Sequence, residues 1–226
     1  MTRLVATLLG LTVAAVTLAA QSTQRTVQAT GSATIYATPD QAHLDVGVVT
    51  NAATAQDSAQ QNATLTTAVL AALKNVLGPN GTTQTVSYYV TPRYSTAAGQ
   101  GNVIVGYTTS NTVRVTTTDL SSLGKLIDAA NQAGANTVSG LSFGLQDPEP
   151  KVLQALAQAT KQAMTHAGAI AAGLGGTLGQ VITAQQGSAY SPILLPAAGV
   201  AGAATTPVQT GTVSVFASVN VTAALQ

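Results

Sequence analysis

Cysteine is missing from all 226 residues, which excludes disulfides, thiol chemistry, zinc–thiolate sites and lipid attachment through an N-terminal cysteine. Charge is scarce as well. Asp, Glu, Lys and Arg make up 7% of the chain, against about 25% in an ordinary globular domain. Eight cations and seven anions leave a net charge of +1 and form no basic cluster, so the electrostatic footprint of a nucleic-acid binder is absent. With two methionines and no cysteine, the chain is also a poor chemical scavenger of oxidants.

Catalytic vocabulary is equally thin. The two histidines are His43, on the polar side of a strand pattern beside Asp45, and His166, in the C-terminal half of a helical pattern. Neither has the converging partners that a metal site or a relay needs. The seven carboxylates form no spaced acid pair. Gly173-Leu174-Gly175-Gly176-Thr177-Leu178-Gly179 is rich in glycine. It follows a helical pattern and lacks the Lys-Ser/Thr of a phosphate loop, so it reads as a helix stop. No catalytic residue, metal or cofactor is expected.

What is present is a foldable, apolar chain. A hydrophobic content of 46% with little charge is the opposite of the disorder signature. Residues 1–22 read as a signal peptide: Arg3 is the only early cation, Leu4 to Ala20 is uncharged, and small residues precede the polar run from Gln21. Cleavage after Ala20 or Ser22 fits. A membrane association is expected only through an uncleaved signal, since no other stretch is suited to cross a bilayer.

The remaining chain predicts one domain over 27–225. Val27–Ala37 reads as a strand and Gln41–Val49 alternates with period two; joined by Thr38-Pro39-Asp40, the two are expected to form a hairpin. Ala53–Leu77 is helical, with Leu65, Val69, Leu73 and Val76/Leu77 as its stripe. Gly78-Pro79-Asn80-Gly81 stops it. A second hairpin pairs Thr85–Tyr94 with Val103–Thr117 across 97–102. A helix capped by Thr118 or Asp119 runs to about Ala133, with Leu123, Leu126, Ile127 and Ala130 inward, and Gly134 ends it. Thr137–Leu145 is a strand. Asp147-Pro148-Glu149-Pro150 opens a long helix whose expected stripe is Val152, Leu156, Ala159, Ala163, Ala167, Ile170 and Leu174. Strands at Gln180–Gln186 and Thr212–Ala223 enclose a Pro/Ala/Gly-rich stretch, about 191–210, expected to be a mobile loop. The order β-β-α-β-β-α-β-α-β-β predicts an α+β fold of antiparallel sheet with helices packed on one face.

Tyr88, Tyr89, Tyr94 and Tyr107 fall on the second hairpin. They serve either as cross-strand pairs that stabilise the sheet or as a subunit contact surface.

Six segments in order carry a family resemblance. They are Gly31 with Pro39-Asp40-x-Ala42-x-Leu44-x-x-Gly47-Val48; Gln84-Thr85-x-x-Tyr88-x-Val90-x-Pro92-x-Tyr94; and Gly106-Tyr107-Thr108-Thr109-Ser110-Asn111-Thr112-Val113-Arg114-Val115. Leu126-Ile127-Asp128-Ala129-Ala130 with Gly134-Ala135-Asn136, Gly140-Leu141-Ser142-Phe143, and the ladder Ala155, Ala159, Ala163, Ala167 before Gly173 and Gly176 complete the set. Together they resemble the SIMPL-domain family of bacterial envelope proteins, which includes periplasmic immunogenic proteins and an oxidative-stress defence protein. The chain departs from the pattern at Ala29, where relatives often carry glycine, and in the low charge of its long helix.

The resemblance implies a non-enzymatic protein of the periplasm or cell envelope that forms ring-like or channel-like homo-oligomers, with no catalytic residues to carry over. On that basis Pro39-Asp40 is expected to set a hairpin, Gly106 to permit close backbone approach, and Asn111 to satisfy a buried backbone group. The expected function is a self-assembling structural or stress-protective envelope protein. The alternative is a periplasmic binding module that uses the 191–210 loop to hold a small molecule, peptide or envelope polymer, its ligand unknown.

Overall fold

A computed structural model describes residues 24–95, 103–189, 193–195, 206 and 208–226. The expected signal peptide, the 97–102 connection and most of the 191–210 stretch lie outside the described residues. The chain is α+β with two antiparallel four-stranded sheets. Its elements are β1 (Thr26–Ala37), β2 (Gln41–Ala52), α1 (Ala55–Leu77), β3 (Gly81–Tyr94), β4 (Ile104–Thr117), α2 (Leu123–Gln132), β5 (Thr137–Gly144), α3 (Glu149–Gly173), β6 (Leu178–Ala189), β7 (Ile193–Leu195) and β8 (Thr212–Leu225). The order matches the expectation with one addition. The short strand β7 lies inside the span expected to be loop and pairs with β8.

One sheet has the order β3-β4-β2-β5 and carries α1 and α2 on one face. Its core joins Leu44, Val46 and Val48 of β2 and Val115 of β4 to Val69 and Leu73 of α1 and Leu123 and Leu126 of α2. Local chemistry explains the helix ends. Thr54 Oγ1 accepts from the Asp57 backbone N–H at 3.1 Å, and Asp57 and Lys74 sit where the helix dipole favours each charge. Asp119 caps the 3-10 turn Leu120–Ser122 that leads into α2, accepting from the Ser121 N–H at 3.1 Å.

The other sheet runs β1-β8-β6, with β7 beside β8. Its cover is α3, whose buried residues are Ala155, Ala159, Ala163, Ala167 and Ala171. A five-rung alanine ladder lets the helix backbone come down onto the sheet. Gly31 marks the closest approach: a Cβ there would overlap the Ala159 carbonyl oxygen and the Ala163 nitrogen. Ile170 and Leu174, expected in the buried stripe, are exposed. Apolarity is a poor guide here, because the contact is too close for anything larger than alanine and the i, i+4 spacing of the small residues decides the face.

The first expected hairpin does not form. β1 pairs with β8, and β2 pairs with β4 and β5. Alternation identifies each strand without naming its partner, and the two strands turn their apolar faces to different helices. Pro39 and Asp40 therefore mark a crossing between sheets. The Asp40 carboxylate accepts from the Gln146 N–H at 2.7 Å, and the Asp40 N–H donates to the Gly144 carbonyl at 3.1 Å. This clasp ties the β1–β2 junction to the end of β5.

Candidate interaction surface

The second hairpin is formed as expected. β3 and β4 pair from Gly81↔Thr117 to Tyr94↔Ile104. β3 is the outer strand of its sheet, and almost every residue along it is exposed on both faces. Val86, Tyr88, Tyr89, Val90 and Tyr94, with Val103, Ile104 and Val105 opposite, form the largest concentration of exposed apolar side chains among the described residues. Such patches mark contact sites more often than scattered apolar residues do.

Register divides the tyrosines. Tyr88 faces Asn111 across the ladder, while Tyr89 faces Ser110. Side chains alternate with period two, so Tyr88 and Tyr107 share the α1 side and Tyr89 stands on the reverse side. Pro92 lies opposite Tyr107 and Arg93 opposite Gly106. An added Cβ on Gly106 would lie 2.7 Å from the Ala52 carbonyl oxygen.

A polar layer lies beneath the α1 side. Ser58, Asn62 and Thr66 are buried on α1 in the same i, i+4 phase as Val69 and Leu73. Asn62 Nδ2 donates to the carbonyls of Val48, at 2.7 Å, and Thr109, at 3.2 Å, while its Oδ1 accepts from Thr66 at 3.2 Å. Thr50 and Ser58 exchange hydroxyl-to-carbonyl bonds of 2.8 and 3.1 Å. Asn111 does not take the role expected for it. Its Oδ1 and the Thr109 Oγ1 are buried without partners, and Asn62 satisfies the backbone instead. Continuing the stripe from Val69 toward the helix start would have found Asn62. Its polarity hides it from a stripe read by apolarity alone.

The other expected residues hold the scaffold. Asn136 bonds the Val49 backbone through both ends of its amide, at 2.9 and 2.7 Å, so its side chain extends the β2–β5 ladder. Gly134, at φ 108°, turns the chain out of α2 in a conformation that disfavours a side chain. Gly47 lies between Thr112 and Thr137 in the middle of the sheet. Phe143 is partly buried against the main core. These residues and Gly31 are spread over both sheets.

His43 Nδ1 is 2.9 Å from Thr116 Oγ1, and His166 Nδ1 is 2.9 Å from the Thr30 carbonyl. Asp45 and Arg114 form a bidentate ion pair at 2.8 Å for each contact, which holds the Asp45 carboxyl below its ordinary range despite the opposing effect of burial. Among the described residues no three potential metal ligands converge, and no helix is long and apolar enough to cross a membrane. Two open clefts flank Gly81. One, of about 300 Å³, is lined by threonines and glutamines, and the other, of about 420 Å³, carries Lys74 as its one charged side chain.

Comparison with known proteins adds to this geometry. The family model "SIMPL: Protein of unknown function" matches residues 27–223. The 26 kDa periplasmic immunogenic protein of Brucella melitensis is 28% identical over 72% of this chain and 69% of its own length. The uncharacterized protein YggE of Edwardsiella ictaluri is 30% identical over 69% of this chain and 65% of its own. Among solved structures, a hydantoinase/carbamoylase family amidase from Burkholderia ambifaria aligns with 49% of this chain and 29% of its own. The identity over that stretch is 19% and the TM-score is 0.27.

Proposed function

The chain belongs to the SIMPL family, and from that premise we propose that it is a non-enzymatic periplasmic protein that self-assembles, with a structural or stress-protective role in the envelope. The observation that carries this reading is the exposed outer edge of β3, which among the described residues is paired on one side only, to β4, and bears Val86, Tyr88, Tyr89 and Val90. A soluble protein that leaves such an edge open invites pairing. The Brucella melitensis relative is named a periplasmic protein, and the charge pattern of residues 1–22 suits export.

Any protection against oxidants would act through the assembly, because a chain with two methionines and no cysteine offers little to oxidise. Static light scattering tests the reading. The purified protein should show a mass several times that of one chain. A monomer at every concentration across the micromolar range overturns it.

A further inference from the structure

The contact implied above can be specified further, and this step rests on that reading. We infer that β3 pairs antiparallel with β3 of a second copy about a two-fold axis through Tyr89, joining the two hairpin sheets into one.

The unpaired sheet edges are not treated alike. On β1, two outward backbone groups are already taken by α3: the Ser32 N–H donates to Gln162 Oε1 at 2.7 Å, and the Thr30 carbonyl meets His166 Nδ1 at 2.9 Å. β6 breaks register three times along β8. β5 has eight residues and meets β2 across a register shift. Capping and bulging are ordinary ways to blunt an edge. β3 instead keeps a regular window. Its register shifts between Thr85 and Ser87 and again between Arg93 and Tyr94, leaving Ser87 to Arg93 unbroken.

Within that window the direction of each backbone group follows from two facts. Ser95 donates its N–H inward to the Val103 carbonyl at 2.8 Å. The residue skipped at the second shift is Val105 of β4, so directions keep alternating along β3 and Pro92 faces outward, as a proline in a ladder must. Tyr88 and Val90 then also present their N–H and C=O outward, while Ser87, Tyr89 and Thr91 bond inward to β4. The usable segment is bounded by the bulge at Val86 and by Pro92, which has no N–H to give. It is Ser87-Tyr88-Tyr89-Val90-Thr91, and its centre is Tyr89.

That segment is complementary to its own reverse. A two-fold at Tyr89 sets Tyr88 against Val90 of the second copy, the two outward-facing pairs that exchange hydrogen bonds. Ser87 meets Thr91, hydroxyl against hydroxyl, and Tyr89 meets Tyr89. Apolar and aromatic cross-strand pairs of this kind are stabilising. Arg93, the one charged residue of β3, falls opposite Thr85 of the other copy, so no like charges meet. A second copy of this chain therefore meets the demands of the edge with no other component.

The absence of cysteine makes the test clean. Facing residues in a pair that is not hydrogen-bonded lie within disulfide reach. Under mild oxidation the full chain carrying Tyr89→Cys should cross-link to itself, and chains carrying Ser87→Cys and Thr91→Cys should cross-link as a mixture far more than either does alone. Tyr36→Cys, on the exposed face of the other sheet, sets the background. Efficient linkage of Tyr89→Cys above that background, with preferential Ser87–Thr91 linkage, supports the pairing. Linkage no greater than background in a chain that still scatters as an oligomer overturns this contact and leaves self-assembly standing. Monomeric scattering overturns both. Equal linkage at all positions indicates collision alone and also overturns the pairing.

Discussion

Gly31 lies under α3 and Gly168 lies within it, and one methyl group should act in opposite directions at the two places. At Gly31 a Cβ runs into the Ala159 carbonyl and the Ala163 nitrogen, both backbone atoms that cannot turn aside. Gly31→Ala must push the helix off β1 along a contact built mainly from alanine, at a cost of about 1–3 kcal/mol or more. At Gly168 a Cβ meets nothing within 4 Å, so Gly168→Ala should gain about 0.5–1 kcal/mol from helix propensity. Urea denaturation of the two variants beside wild type checks both signs. Equal midpoints for all three would show that α3 does not rest on Gly31 as described.

The hairpin strand β3 permits a similar contrast at the scale of an element. Val90 turns its N–H outward and Tyr89 turns its own inward to β4, by the alternation that Ser95 and Pro92 fix. Val90→Pro removes a donor that the folded chain does not use, and Pro92 two residues on shows that the strand accepts the ring. The variant should stay folded by circular dichroism while its scattering mass falls toward one chain. Tyr89→Pro deletes a ladder bond and should lose folded signal as well. A Val90→Pro variant that assembles like wild type would count against the edge.

Elements of this kind were largely legible in the sequence, because each has a local cause. Period two marked β2, a buried quartet marked α2, and Gly78-Pro79 ended α1. Partnership was not local. Nothing within Val27–Ala37 says that its partner lies 190 residues away at Thr30↔Asn220. The polar part of the α1 stripe was hidden for another reason: Asn62 is buried because backbone carbonyls of β2 and β4 need its amide. The tyrosines were visible as a cluster on the hairpin, but their division between two faces required the register.

At the scale of the whole molecule, the shortage of charge has consequences beyond excluding partners. With a net charge of +1 and one ion pair among the described residues, long-range repulsion does little to keep copies apart, and an open apolar edge is free to dominate association. The same shortage concentrates pH sensitivity in a few groups. Asp45 lies in β2 directly opposite Arg114 of β4, so their bond spans the two central strands of the sheet that carries the hairpin. Hydrogen bonding to Arg114 lowers the folded pKa of Asp45 below its ordinary 3.8. A carboxyl depressed on folding adds stability that is fully present above its unfolded pKa and is lost as pH falls through the folded value. Asp45→Asn removes the charge and keeps the shape. Wild type should therefore be the more stable chain at neutral pH, by the modest amount typical of partly exposed pairs, and the difference should hold down to about pH 5. It should then shrink as the pH drops below about 4 and vanish once the carboxyl is protonated. Melting temperatures of the two chains across that acid range decide the point. A gap that stays constant to the lowest pH would mean that the amide fails for a reason other than charge.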